Sequence, residues 1–522
     1  MSDSILKSNI ETSNFIFFSV SVINVDKLCR YARAALIADY VCLATAESAT
    51  VLRENEIECL LVDEYVGMNN QHDFPPTMHP SIEGLLTSTD KFRHGIVFDM
   101  PYDVSSGYDV GGHTLLAFAV KGNNTPVMTY EDMDKVCDSL ASDGCVSNVL
   151  KQSLQEKALI NITNFYATIL RHKNSEYSIQ ILKKMYALRH GENPYQINAY
   201  IMKSVLDDSN TFSIASSILK HSDEKPCYTN IVDIERILIS LLMLASAFNK
   251  KHQALPYIAI AAKHGNVCGL AVDWEDPSVA VEKALWGNPK AIWGGEVVTN
   301  FCITSDIAQQ LLSSPKRGLL LGNESWMLDV VCAPIFDKGA QDILSRRKNR
   351  VLVQNQKLTL AHEIKVSRSF RSLFGEYVEQ GPCDYVIKEE DIVSCSCEPF
   401  SLEDDILIAW CVAYTTFYGG NEVAISKNSQ LIGIGGGAST IEATKIAIWK
   451  SEENMHKVKD SFFAADAFFP FTDVPEILIK AECQGGLVPA GGKNENKVQQ
   501  FFSDAGLKVG FIRDIYRGFC RH

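Results

Sequence analysis

The clearest chemical signal in the 522-residue sequence is a short polar turn behind an apolar run. Tyr257 to Ala262 (YIAIAA) reads as a buried strand and passes straight into Lys263, His264, Gly265, Asn266, Val267, Cys268 and Gly269. Such a strand delivers an ammonium and an imidazole to its own end, where open α/β sheets gather their ligands. Histidine titrates near working pH and suits proton transfer, and a lysine ammonium can steady a developing anion. Neighbours on an extended strand face opposite ways, so both serve one site only if the chain turns, which Gly265 allows. A second signal is the glycine run Gly433 to Gly437 (GIGGG) ahead of an amphipathic segment. Gly433, Gly435 and Ala438 satisfy G-x-G-x-x-A, with Glu452 and Glu453 downstream, the pattern of a dinucleotide site and of an NAD(P)-dependent oxidoreductase. Its late position in the chain, after the turn-rich Lys427 to Gln430, argues against that rival.

The elements that must position these groups alternate between strand and helix. Phe17 to Val25 predicts a strand, Asp26 to Leu36 a helix, Val41 to Ala44 a strand and Glu47 to Arg53 a helix. This βαβα order belongs to a parallel sheet covered by helices. A breaker-rich loop lies at Asp73 to Pro80, and a long helix over Val149 to Arg171 ends in RHKNSE, which places a first boundary near residue 175. Val232 to Phe248 and Asp404 to Phe417 predict helices, Val423 to Ile425 a strand and Thr440 to Lys450 a helix. No internal repeat is visible. Lys and Arg total 49 against 63 Asp and Glu, a net charge of −14, which speaks against binding nucleic acid or anionic lipid through the overall field. The N-terminus lacks an apolar h-region and no apolar stretch reaches membrane-spanning length, so a cytoplasmic protein without membrane association is expected. Fifteen scattered cysteines without a CxxC predict free core thiols and no metal centre.

Four motifs in order carry a family resemblance: LRHGENPYQ at Leu188 to Gln196, KHGNVCG at Lys263 to Gly269, IGIGGG at Ile432 to Gly437 and DAFFPF at Asp466 to Phe471. Together they resemble the bifunctional purine-biosynthesis family that combines AICAR (5-aminoimidazole-4-carboxamide ribonucleotide) transformylase with IMP (inosine monophosphate) cyclohydrolase. The first 175 residues resemble the cyclohydrolase half more faintly, through Thr77, Met78, His79, Pro80, through Asp109 to Gly112 and through Lys121. The resemblance implies an α/β protein: a methylglyoxal-synthase-like parallel-sheet domain over 1–175, then two cytidine-deaminase-like subdomains over 176–350 and 351–522. It implies a homodimer, 10-formyltetrahydrofolate as co-substrate and no tightly bound cofactor, and it admits a potassium-type ion as support.

By the same resemblance, His264 takes a proton from the weakly nucleophilic 5-amino group, Lys263 stabilises the oxyanion, and Asn421 bridges the formyl oxygen and the amine. Arg189 and Arg517 offer forked donors to the nucleotide phosphate. His190, Asn230, Gly294, Asp329, Phe468 and Phe469 correspond to substrate-contacting positions, and Asp473 to a folate contact. The chain departs from the family at Trp293 and His190, where Phe and Tyr are usual, and at Ala438 and Ile441, where Gln and Arg assist the ligand. Asn421 follows a glycine where the family has Ser. In the cyclohydrolase half, Phe74, Pro75 and Pro76 replace the Arg and Lys before the Thr-Leu-His-Pro motif. Ile23 to Lys27 replaces a phosphate loop, and Thr45, Ala46, Glu47 and Ser48 replace a Thr-Gly-Gly-Thr turn. Thr77, Asp109, Gly111 and Lys121 are then remnants, and ring closure is expected to be absent or severely weakened. A non-catalytic relative acting as a folded partner is the remaining alternative.

Overall fold

The computed structural model describes residues 3–21, 23–67, 75–88, 93–205, 212–220 and 222–518. Phe74 and the basic end at Arg521 and His522 lie outside them. The chain forms two compact units, residues 1–183 with 204–206 and residues 184–203 with 207–522.

The first unit is built on a five-stranded parallel sheet of β1 (Phe15–Ser19), β2 (Val41–Ala44), β3 (Leu60–Leu61), β4 (Gly95–Asp99) and β5 (Thr125–Val127), in the order β3-β2-β1-β4-β5. Ile16 and Phe18 enter one core while Phe15 and Phe17 enter the other, so both faces are buried, as helix-covered parallel sheets require. The expected strand over Phe17 to Val25 is corrected: it ends at Ser19, and Val25 opens the helix Val25–Ile37. The reason is local, because the Asn24 side chain accepts the Lys27 N–H at 2.9 Å and caps that helix. Gly111 and Gly112 likewise fall in the first turn of the helix Val110–Lys121.

A two-stranded sheet of β6 (Leu182–Ala187) and β7 (Tyr200–Ser204) spans the stretch where the unit boundary falls. The second unit holds β8 (Tyr257–Lys263), β9 (Asn266–Asp273), β10 (Trp293–Thr299), β11 (Met327–Ala333), β12 (Val351–Gln354), the ribbon β13 (Ser369–Leu373) and β14 (Glu376–Gln380), β15 (Ile392–Cys395), β16 (Val423–Lys427), β17 (Gln430–Gly435), β18 (Phe462–Ala465), β19 (Gly485–Pro489) and β20 (Lys508–Ile512). Eleven of these form one mixed sheet in the order β12-β11-β10-β8-β9-β17-β16-β18-β19-β20-β15. That order conceals a repeat. Reading outward from the centre, β9-β8-β10-β11-β12 and β17-β16-β18-β19-β20 each comprise an antiparallel hairpin, an antiparallel neighbour and two parallel strands. The halves meet where Gln430 pairs antiparallel with Ala271.

Alternation along β8 divides the two faces. Ile258, Ile260 and Ala262 join the core that includes the helices Tyr228–His252 and Asp404–Thr415, while Ala259 and Ala261 join the core of the helix Pro277–Gly287. Asp404–Thr415 is buried from Ile406 to Thr415, which explains its apolar character on every side. Thirteen cysteines among the described residues are free, whereas Cys383 is disulfide-bonded and departs from the uniform free-thiol expectation.

Candidate active site

The Lys-His-Gly-Asn segment is the tip of a tight hairpin. Lys263 and Asn266 close the ladder between β8 and β9, leaving His264 (φ 56°) and Gly265 (φ 67°) as a two-residue turn with both residues left-handed. Two positive φ angles are the requirement of a type I′ turn, whose twist matches its strands. The turn exposes His264 and brings Lys263 back over the sheet edge. The Lys263 Nζ donates to the carbonyl oxygens of Trp293 at 2.5 Å and Gly294 at 2.7 Å. Gly294 has φ 76°, and a Cβ there would stand 2.9 Å from the Lys263 Nζ and 3.1 Å from the Asp329 Oδ2. Three expected residues therefore meet at one point, and glycine is what lets them approach. Asp329 also pairs with Arg347 at 2.8 Å.

Two carboxyls under this turn were not foreseen from the sequence. Asp233 lies on the helix Tyr228–His252, and Glu296 lies on β10 opposite Ala262. Glu296 is 2% exposed, and burial raises its pKa, with Asp233 and Asp329 adding to the rise and Lys263 opposing it. A glutamate amid the apolar run EVV gave no pattern to distinguish it from an edge charge.

The hairpin is tied to the segment that carries Asn421. The Phe417 N–H donates to the Asn266 side-chain oxygen at 3.0 Å, and the Tyr418 hydroxyl donates to the Val267 carbonyl at 3.0 Å. Asn421 is left-handed (φ 49°), and its amide nitrogen donates to the Gly437 carbonyl at 3.2 Å. Behind it, one carboxylate oxygen of the fully buried Glu422 accepts the N–H groups of Tyr418, Gly419 and Gly420 at 2.8, 3.2 and 3.0 Å. Burial still lifts Glu422 to about 7. Asp466 is 1% exposed with both side-chain oxygens unpartnered, and burial, reinforced by Glu422, raises it to about 8.

Arg517 stacks over the Phe468 ring at 5.6 Å, and the Gly518 N–H donates to the Asp466 carbonyl at 3.1 Å, which joins this pair to the same region. Phe469 differs: it is 2% exposed and packs on Phe463 in the core, so only Phe468 of the two is placed to line a site. Arg189 and His190 run beside the start of the helix Tyr228–His252, with Arg189 N–H donating to Pro226 and Tyr228 N–H donating to His190. Asn230 sits in the first turn of that helix and accepts the Cys227 N–H at 3.1 Å. Asp473 opens the helix Asp473–Lys480 and shows no bond to the other expected residues.

In the first unit, Asp109 caps the helix Val110–Lys121 by accepting the Gly112 N–H at 2.8 Å. A Cβ on Gly111 would lie 3.9 Å from both Asp109 Oδ1 and Thr77 Oγ1, so Thr77, Asp109 and Gly111 come together. Lys121 does not: it stands at the far end of that helix, about 16 Å along its axis, and faces Glu83 at 3.6 Å. Asp99, at the end of β4, is buried with one oxygen unpartnered; burial, with Asp109 adding, raises it to about 7.

Among known families, the model described as AICARFT/IMPCHase bienzyme matches residues 123–450, more than half of the chain. The chain belongs to that family. Relatives named "Bifunctional purine biosynthesis protein PurH" resemble it throughout: that of Persephonella marina is 26% identical over 94% of this chain and 97% of its own length. That of Aquifex aeolicus is 27% identical over 94% and 98%, and that of Oceanobacillus iheyensis 26% identical over 95% and 98%.

The geometry also removes the dinucleotide reading. Gly433 and Gly435 lie inside β17, which pairs antiparallel with both neighbours, instead of in a strand-to-helix turn of a parallel unit. A Cβ on Gly433 would lie 2.4 Å from the Ala447 carbonyl, and one on Gly435 2.1 Å from the Ala443 carbonyl. These glycines exist so that the helix Thr440–Glu453 can lie against the sheet.

Proposed function

We propose that this chain transfers the formyl group of 10-formyltetrahydrofolate to the 5-amino group of AICAR in de novo purine biosynthesis, with ring closure to IMP absent or severely weakened. The observation that carries it is the joining of Lys263, His264, Gly294 and Asp329 to the Asn421 segment in a chain of this family. His264, exposed at the hairpin tip, accepts the proton as the amine attacks the formyl carbon. Lys263, held by two carbonyls, keeps its charge at a fixed place for the oxyanion. Asn421 orients the formyl oxygen and the amine, Arg189 and Arg517 take the phosphate, and His190, Asn230 and Phe468 border the nucleotide. Asp473 serves the folate.

The finer architecture follows the same reading: a methylglyoxal-synthase-like domain over 1–175 and two cytidine-deaminase-like subdomains over 176–350 and 351–522. The strand repeat of the eleven-stranded sheet supports two such halves, with β12 (Val351–Gln354) completing the first, so that half runs a few residues past 350. We propose a homodimer in the cytoplasm, supported by the β13–β14 ribbon, which exposes Phe370, Phe374, Tyr377 and Val378. Light scattering should give about twice the 57.9 kDa chain mass; a single active chain would contradict it. No helix among the described residues is long and apolar enough to cross a membrane. What supports a potassium-type ion is that both side-chain oxygens of Asp466 and one of Glu422 are buried without partners; these carboxyls would hold it, and its charge would offset theirs.

The test is purified protein with AICAR and 10-formyltetrahydrofolate, following tetrahydrofolate release. Formation of formyl-AICAR is expected; none at micromolar enzyme would favour a non-catalytic partner.

A further inference from the structure

We propose that Glu422 is a positioning residue for formyl transfer: its buried carboxyl group gathers the backbone of the 418–421 loop and thereby holds Asn421 in place. This rests on the function proposed above. The residue is fully buried, and one of its oxygens accepts the N–H groups of Tyr418, Gly419 and Gly420 at 2.8, 3.2 and 3.0 Å.

The loop is one that a chain does not adopt unaided. Gly419, Gly420 and Asn421 have φ of 144°, 81° and 49°, three left-handed residues in a row, and Asn421 carries a side chain in that conformation. Successive N–H groups aimed at one point make a concavity that suits an anion. Glu422 supplies the acceptor from the chain itself, one residue after Asn421, and bonds from backbone N–H groups to a carboxylate are among the strong ones. The strain of the loop is thus offset beside the residue that the reaction uses.

Both flanks of the loop are anchored to the rest of the site. Ahead of it, the Phe417 N–H donates to the Asn266 side chain and the Tyr418 hydroxyl to the Val267 carbonyl, each at 3.0 Å, while the Lys450 Nζ stands over the Tyr418 ring at 4.2 Å. At its end, the Asn421 amide donates to the Gly437 carbonyl at 3.2 Å and the Gly437 N–H to the Gly420 carbonyl at 2.8 Å. The second Glu422 oxygen lies against Gly436, where a Cβ would run into it, and a Cβ on Gly419 would stand 3.3 Å from the Gly437 Cα. Gly436 and Gly437 therefore make room for the carboxyl and the loop, a different duty from that of Gly433 and Gly435. Removing the carboxyl leaves the anchors at Asn266 and Val267 but frees the stretch that carries Asn421.

Glu422→Gln keeps a carbonyl acceptor for the three N–H groups, and Glu422→Ala removes it. The kcat for formyl transfer should fall about 10²-fold in Glu422→Ala and less than about fivefold in Glu422→Gln, with KM for AICAR within about threefold in both. Because Glu422 acts through Asn421, adding Glu422→Ala to Asn421→Ala should cost less than about threefold more in kcat. Multiplying losses in the double variant, or a Gln variant as slow as the Ala variant, would overturn the assignment. Hydrogen–deuterium exchange over the peptide that carries the loop gives a readout independent of turnover. The Tyr418, Gly419 and Gly420 amides should be protected in the wild type and in Glu422→Gln, and exchange at least about tenfold faster in Glu422→Ala. A wild-type loop that exchanges without protection would refute the proposal even if the variants failed to fold. A wild type with a protected loop but no formyl transfer would instead sink the transformylase reading and leave the loop's support by Glu422 standing.

Discussion

Lys263 and His264 illustrate how far single residues could be read. Their types and order announced proton and charge chemistry, but the carbonyl anchors that hold the ammonium, at Trp293 and Gly294, come from a strand thirty residues away. We expect His264→Ala and Lys263→Ala each to lower kcat for formyl transfer by about 10²-fold or more, and near wild-type turnover in either would remove its role. Asp233, Glu296, Glu422 and Asp466 were invisible beforehand, since a buried carboxyl differs from a surface one only through what tertiary packing puts around it. Asp466 carries a pH consequence. Its folded-state pKa of about 8 lies above the ordinary carboxylate value, so the folded state binds the extra proton and stability falls as pH rises from about 4 to about 8. Asp466→Asn should flatten that fall and raise the unfolding midpoint at pH 8. If a potassium ion sits there, KCl should stabilise the wild type over tetramethylammonium chloride at equal ionic strength but leave the variant unmoved, and equal salt responses would dismiss the ion.

At the scale of elements, periodicity and breakers were enough for the helices Val25–Ile37, Tyr228–His252 and Thr440–Glu453, because each carries an apolar stripe and a recognisable start. Glycine was harder, since the same residue serves a turn, a close approach or a packing contact. The GIGGG run looked like a phosphate turn, yet its first two glycines are flat strand positions pressed against a helix. Gly265, by contrast, is a turn glycine in every respect: φ is 67°, and a Cβ on it would run into Asp233 and Arg236. Gly265→Ala should cost about 1–3 kcal/mol of stability, measured by denaturant unfolding, and reduce kcat more than KM by displacing the His264 tip. A variant with wild-type stability and kcat would show that the turn tolerates an L side chain. The sheet repeat escaped the sequence for a related reason: a topology can be duplicated while the side chains filling it diverge, and only the hydrogen-bond order preserves the copy.

For the whole molecule, the decisive question is what the first unit still does. The parallel sheet aligns the ends of β1, β2 and β4 on one edge, where a nucleotide phosphate would approach helix N-termini. That edge is acidic here. Glu47 lies in the first turn of the helix Ala46–Glu54, the Ser48 hydroxyl is committed to the Val20 carbonyl at 2.9 Å, and Asp99 and Asp109 face each other beyond. The two cations in reach by sequence are engaged elsewhere, Lys27 with Asp134 at 3.2 Å and Lys121 with Glu83 at 3.6 Å. A phosphate approaching that edge would therefore meet the Asp99 and Asp109 carboxyls while Lys27 and Lys121 are engaged elsewhere, although Thr77, Asp109 and Gly111 come together. Supplied with formyl-AICAR, the protein should form IMP at least about 10²-fold more slowly than it transfers formyl groups, followed by product absorbance under conditions where the transferase half is saturated. Removing a negative charge by Glu47→Gly should raise phosphate affinity without restoring turnover, because Pro75 and Pro76, which stand before Thr77, supply no cation there. Comparable rates for the two steps in the unmodified chain would show that the acidic edge binds the intermediate by a route these contacts do not reveal. A slow second step would leave formyl-AICAR to be drained by a separate ring-closing hydrolyase, and adding such an activity should raise net formyl transfer.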